Sequence, residues 1–381
     1  MQLESKLPKV GTTIFSVMSQ MATENDAINL SQGFPEFPVS QELIDLVYQN
    51  MQIGHNQYAP MPGLPVLRKA IAQKIEKTGG VALDFDAEIT VTVGATEAIF
   101  SSIMALVGKG DEVIVLEPAY DCYIPAIELA GASPVPIALQ QPDFSPDWEL
   151  IKQQISKNTK ILMINSPHNP SGAVLNKQDM EELKEILKAN PQLMLLSDEV
   201  YEHIIFDGRE HFSVLNDAFL ASRSIVVYSF GKTFHATGWK IGYVVAPEMI
   251  MKEIRKVHQY NCFTVHTPSQ HAMAEFLQYE KNYLGINDMY EKKRDFFAKA
   301  VSNSRFKIVP SYGTYFQLLD YSAISDIPDM EFAEKLIKEH GVASIPVSAF
   351  YSERKDDHLL RFCFAKGEET LQKAADILCR I

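Results

Sequence analysis

Five short segments gather side chains able to bind an anion, hold a ring or attack a carbonyl. They are Gly94-Ala95-Thr96, Glu117-Pro118-Ala119-Tyr120, Ser166-Pro167-His168-Asn169-Pro170, Asp198-Glu199-Val200-Tyr201 and Ser229-Phe230-Gly231-Lys232-Thr233. A lysine held in a crevice near cationic groups has a lowered pKa and can attack an aldehyde as a free amine, although alone Lys232 would read as a solvated surface charge. Its segment ends like a nucleotide-binding P-loop, but the glycine required five residues before Gly231 is Val226, so phosphate cradling by that loop is unsupported. Asp198 follows an apolar run, so a buried carboxylate there needs a cationic or hydrogen-bonding partner such as a pyridinium nitrogen; in isolation it reads as a helix N-cap. Tyr201 lies three residues on and adds a phenol on the same side, so the two can address the nitrogen and oxygen of one ring. Gly94-Ala95-Thr96 opens a helix with small residues whose free N–H groups suit a phosphate, though the tripeptide alone is an ordinary strand-to-helix turn.

Each segment follows a short β-branched run. The runs are Ile89 to Val93, Glu112 to Leu116, Lys160 to Asn165, Leu193 to Ser197 and Ser224 to Ser229, with a sixth at Ile241 to Ala246. Amphipathic stretches of helical length alternate with them, such as Asn176 to Lys188, with Asn176 as a cap and Pro191 beyond its end. This pattern predicts an α/β fold with a mostly parallel sheet, and the fully apolar runs predict helices covering both its faces. Ligands of such sheets bind outside the carboxyl ends of the strands, so all five segments should converge on one crevice. After Pro268 the texture changes to a long helical stretch from Gln270 to about Asn303, hairpin-like pieces such as Gly313 to Leu319, and a final helix from Glu368 to Cys379. The expected division is an N-terminal segment 1–41 packing with the small domain, a large domain 42–280, and a smaller α+β domain 281–381.

The formal charge of −13 on 381 residues would repel a phosphate backbone, and no basic run interrupts it, so nucleic acid is not an expected partner. Cys122, Cys262, Cys363 and Cys379 have neither CxxC pairing nor zinc-ligand spacing, so neither a disulfide framework nor a metal site is expected. Met1 to Phe15 lacks the apolar run of a signal peptide, and no stretch is long enough to span a bilayer, so a soluble cytoplasmic chain is expected.

In combination, Asn169-Pro170-Ser171-Gly172, Asp198 to Tyr201, Ser229 to Phe234, Gly238-Trp239-Lys240-Ile241-Gly242 and Arg361 in Leu360-Arg361-Phe362-Cys363-Phe364 resemble the class I/II aminotransferases, enzymes of fold type I that use pyridoxal 5'-phosphate. Gln32 to Pro38 and Asp121-Cys122-Tyr123 are most similar to the kynurenine, glutamine and methionine aminotransferase group. The resemblance implies that Lys232 holds the cofactor as a Schiff base and moves the substrate α-proton, and that Asp198 keeps the ring nitrogen protonated. It implies ring-oxygen contacts from Tyr201 and Asn169, stacking by Tyr120, and a phosphate held by Ser229, Lys240, Ala95 and Thr96. Lys240 stands where aspartate aminotransferases usually carry arginine, which removes bidentate phosphate binding there.

The resemblance further implies that Arg361 clamps the substrate carboxylate with Asn169 and the Gly33 backbone. Tyr58 would reach the phosphate of a neighbouring subunit, making a homodimer with shared sites; Phe15, Tyr58, His266 and Phe350 would surround the substrate side chain. The expected reaction is transfer of an amino group from a neutral or aromatic amino acid, with methionine first and kynurenine and glutamine included, to a 2-oxo acid. Cysteine-conjugate β-lyase chemistry on the same cofactor is an alternative. A non-enzymatic regulatory module is a further one, disfavoured by the presence of Lys232 and Asp198.

Overall fold

A computed structural model describes residues 3–381. Its centre is a seven-stranded sheet of β1 (Ile89–Thr92), β2 (Glu112–Glu117), β3 (Ser133–Ala138), β4 (Thr159–Asn165), β5 (Met194–Asp198), β6 (Ser224–Ser229) and β7 (Gly242–Val245), in the order β1-β7-β6-β5-β4-β2-β3. Six strands are parallel, and β7 runs antiparallel between β1 and β6. Alternate residues of the central strands enter two separate apolar layers. Leu162, Leu195 and Val226 pack on one face, while Ile161, Met163, Leu196, Ile225 and Val227 pack on the other. A strand buried on both sides must be apolar at every position, which is why these runs show no polar alternation. Each such side chain contributes about 1.5–3 kcal/mol by leaving water.

Two features of the sheet differ from the sequence reading. The strand Ser133–Ala138 was not anticipated, because Pro134 and Pro136 argue against one; it survives because β3 is the edge strand, pairing only with β2, where a missing N–H costs no ladder bond. The strand near Ile241 also reverses direction, since the link from Ser229 holds only a one-turn helix, Phe230–Thr233, and a 3-10 turn, Thr237–Trp239, and is too short for a parallel crossover.

The helices used below are α1 (Ile14–Glu24), α2 (Gly94–Leu106), α3 (Lys177–Ala189), α4 (Phe230–Thr233), α5 (Glu248–Asn261), α6 (Thr267–Phe276) and α7 (Ile286–Val301). The Asn176 cap of α3 is present: its side chain accepts from Gln178 and Asp179 N–H, and Asp179 returns a bond to the Asn176 N–H. The helical stretch expected from Gln270 to Asn303 is instead two helices, α6 and α7, separated by a 3-10 turn at Glu280–Asn282 and by Gly285 at φ +85. Among the described residues no helix is long and apolar enough to cross a membrane.

A second, antiparallel sheet is built from β8 (Lys307–Ile308), β9 (Phe316–Asp320), β10 (Ile345–Pro346) and β11 (Leu359–Cys363), in the order β10-β11-β9-β8. Arg361 lies opposite Leu318 on β9 and Ile345 on β10. Met18 and Ala22 of α1 and Leu30 share one apolar cluster with Phe316, Leu360 and Phe362, so the first helix and the second sheet are packed as one body. Ile28–Asn29 adds a parallel pairing with Val342–Ala343.

Candidate active site

A cavity of about 430 Å³ lies at the carboxyl ends of β1, β4, β5 and β6. Lys232, on the single turn of α4, points into it. Its Nζ lies 2.9 Å from the Tyr315 hydroxyl and 3.4 Å from the Gly33 carbonyl, and the Tyr315 hydroxyl itself donates to that carbonyl at 2.7 Å. Burial pushes the Lys232 amine down to about 8, with the charges of Arg361 and Lys240 acting in the same direction. The free-base fraction at neutral pH is therefore far above that of a surface lysine.

Asp198 closes β5 and is buried. The Tyr123 hydroxyl donates to its Oδ2 at 2.6 Å and the Val200 N–H to its Oδ1 at 3.3 Å. Burial still pushes the carboxyl up to about 6, against the opposing pull of those two hydrogen bonds and of the Lys232 charge. Such a group is short of positive charge, and a cationic ring nitrogen would supply it. Tyr201, in the following turn, sets its ring 5.6 Å from the Lys232 Nζ, and burial raises its phenol pKa.

The chain passes from β1 into α2 through Gly94, at φ +72, where few residues other than glycine sit without strain. A Cβ on Gly94 would come to 3.5 Å from the Lys240 Nζ, so this turn holds the lysine close to the start of the helix. Ala95, Thr96, Ser229 and Lys240 together line one end of the cavity, and Tyr120 lines its side. First-turn N–H groups, a hydroxyl and an ammonium make an anion site.

At the opposite end, Arg361 is 1% exposed. Its Nη1 donates to Asn169 Oδ1 at 2.8 Å and its Nη2 to the Ser31 carbonyl at 3.1 Å, while its Nε is buried without a partner. Asn169 is itself placed by its N–H, which donates to Asn165 Oδ1 at 2.8 Å. The guanidinium carbon sits 3.9 Å from the Phe316 ring centre and 5.2 Å from those of Phe15 and Phe350. Gly33 lines the cavity beside them, and a Cβ there would come to 2.9 Å from the Phe316 ring tip, which would have to shift to admit a larger residue.

The structure therefore brings Lys232, Asp198, Tyr201, Asn169, Ala95, Thr96, Tyr120, Ser229, Lys240, Gly33, Arg361 and Phe15 to one cavity. Phe350 stands behind that wall, edge-on to Phe15 at 5.9 Å. His266 does not line the cavity; its Nδ1 is bonded to Ser269 Oγ at 2.7 Å. Tyr58 is 83% exposed and lies edge-on to Phe263. Besides lining residues such as Asn165 and Phe316, two tyrosines that touch the lysine and the aspartate had no role in the sequence reading. Tyr123 lies inside a motif already singled out, whereas Tyr315 carries no local signal, since nothing near it in sequence says that its hydroxyl meets Lys232 across the fold.

Residues 25–378 match the family described as aminotransferase class I and II. The methionine aminotransferase of Escherichia coli (strain K12) is 49% identical over 98% of this chain and 97% of its own length. Kynurenine–oxoglutarate transaminase 1 of Mus musculus is 35% identical over 95% of this chain and 93% of its own length. Among solved structures, YbdL of Escherichia coli, described as having a methionine aminotransferase function, superposes with a TM-score of 0.97 at 48% identity, covering all of both chains. Aspartate aminotransferase of Thermus thermophilus with maleate gives 0.91 at 30% identity, again over the whole of both chains.

Proposed function

This chain belongs to the class I and II aminotransferases, pyridoxal-phosphate enzymes that exchange amino groups between amino acids and 2-oxo acids, and we propose that its preferred donor is methionine, with aromatic amino acids, kynurenine and glutamine also accepted. The observation that carries the preference is the composition of the cavity wall. Arg361 is its one arginine, and beside it stand Phe15, Phe34 and Phe316. A donor with one carboxylate is matched, whereas a second carboxylate would be buried without a partner at a cost of several kcal/mol, on the order of a hundredfold or more in rate. Sulfur–aromatic contacts of about 0.3–1.5 kcal/mol favour a thioether among neutral donors. The similarity to the methionine aminotransferase of Escherichia coli supports the same reading.

The residues present fit the cofactor. The buried Asp198 carboxyl has no bonded cation, the start of α2 with Ser229 and Lys240 offers anion donors, and Tyr120 flanks the space between. Bound there, pyridoxal phosphate would supply an aldehyde for the amine and a ring that accepts the electron pair left when the α-carbon loses its proton. Asp198 would pair with a protonated ring nitrogen, and Tyr123 fixes that carboxylate by its bond to Oδ2. Lys232 Nζ would take the proton from the substrate α-carbon and return it, with Tyr315 and Gly33 setting the position of the amine. Arg361 would hold the α-carboxylate in its fork, with Asn169 aligning the guanidinium. Phe15 and Phe34 would keep water from the reacting carbon.

We assign the exposed pair Tyr58 and Phe263 to a homodimer interface through which Tyr58 serves the partner's phosphate site, with His266 on the same side. The division at about residues 41 and 280 and a cytoplasmic location belong to the same proposal. The test is kcat/KM for methionine, phenylalanine, kynurenine, glutamine and aspartate with one saturating 2-oxo acid. Methionine is expected first and aspartate last; aspartate as best donor would refute the neutral pocket.

A further inference from the structure

Away from the Lys232 cavity, α2 and α5 bring together a carboxylate, an imidazole and a thiol. Glu97 Oε1 lies 3.0 Å from His258 Nδ1, Cys262 Sγ lies 3.3 Å from the same nitrogen, and one ligand atom from each residue falls within 4.8 Å of the others. We propose that Glu97, His258 and Cys262 form a binding site for a divalent transition-metal cation of the zinc class, independent of the cofactor.

The geometry is close to what such an ion requires. With metal–nitrogen and metal–oxygen bonds of about 2.0–2.2 Å and a metal–sulfur bond of about 2.3 Å, a tetrahedral site separates nitrogen from oxygen by about 3.4 Å and nitrogen from sulfur by about 3.6 Å. The observed 3.0 and 3.3 Å need only a few tenths of an ångström of opening. His258 lies in the last turn of α5 and Cys262 is the residue that caps it, four positions on, which sets the thiol beside the imidazole.

Two of the three ligands are also held by groups outside the cluster. His258 Nε2 lies 3.1 Å from the Met61 carbonyl, which can only accept, so that nitrogen carries the proton and Nδ1 is the coordinating atom. Glu97 is fixed by Ser101, whose hydroxyl donates to Oε1 at 2.5 Å, and by the Val93 N–H on Oε2 at 3.2 Å. His258 is fully buried while Cys262 is half-buried, so an ion would enter from the thiol side. Thiolate and imidazole together select zinc-like cations over magnesium or calcium. On binding, the ion replaces the thiol proton and the proton between Nδ1 and Glu97, and both leave to solvent. Because Glu97 directly follows Ala95 and Thr96 in α2, an ion here would brace the helix start that lines the anion end of the cavity.

The test uses the holoenzyme, stripped with a chelator and titrated with Zn²⁺ in competition with a chromophoric zinc indicator. One tight equivalent per chain is expected, unaffected by excess Mg²⁺. Cys262→Ser and His258→Gln should each weaken it at least about tenfold, while Cys379→Ser, at the exposed cysteine outside the cluster, should leave it unchanged. His258 is buried and its variant is exposed to misfolding, so the isosteric Cys262→Ser decides. Absence of a tight equivalent in the parent enzyme, or full affinity in Cys262→Ser, would overturn the site and leave a metal-free hydrogen-bonded triad.

Discussion

Two parts of the cavity handle charge in opposite ways. Around Asp198 and Lys232, burial moves both groups toward neutrality, the carboxyl up to about 6 and the amine down to about 8. Arg361 is more deeply buried still, yet its partners are neutral oxygens of Asn169 and Ser31 and the faces of aromatic rings. A group that must exchange protons is tuned toward neutral pH by desolvation, whereas a group that must bind an anion keeps a charge that no salt-bridged carboxylate cancels. The first group is for chemistry and the second for capture.

Three variants test that contrast. Lys232→Ala removes the amine, and loss of acid–base catalysis alone costs about 10²–10⁴-fold; kcat should fall by at least that much while donor binding, read by a competing dicarboxylate-free analogue, persists. Arg361→Lys keeps a positive charge but loses the fork and leaves Asn169 and Ser31 without their partner. A loss of about 10–100-fold in kcat/KM is expected, mostly in KM; a loss confined to kcat would show that Arg361 acts on the chemistry instead. Tyr123→Phe removes the hydroxyl that lowers the Asp198 pKa, so that pKa should climb above its present value of about 6. The carboxylate form is then lost at a higher pH, and the acidic limb of the kcat/KM profile should shift upward, with a deficit of about 2–10-fold at neutral pH. An unmoved limb would detach Tyr123 from the function of Asp198.

Legibility in the sequence follows the same contrast. Gly94 to Thr96, Asp198 to Tyr201 and Ser229 to Lys232 each end one strand, so a parallel sheet delivers them to one crevice with no long-range information beyond strand order. The apolar layers were legible too, because strands covered on both faces must be apolar throughout. What escaped depended on distant pairings. Tyr315 meets Lys232 only because the second sheet packs against Val200 and Tyr201 at the end of β5, and the Glu97–His258–Cys262 cluster forms because α2 and α5 pack together, although Cys spacing alone gave no metal signal. The edge strand with Pro134 and Pro136 was hidden because tolerance of proline depends on strand position, not on local composition.

Reduction of the yellow holoenzyme with borohydride, followed by peptide mapping, tests the central assignment most directly. A Schiff base becomes a stable amine wherever the cofactor was held. The low pKa of Lys232 and its position at the end of β6 predict a single labelled peptide spanning Ser229 to Thr233, with the adduct on Lys232. An adduct on Lys240, or no lysine adduct in a protein that nonetheless retains cofactor, would contradict it.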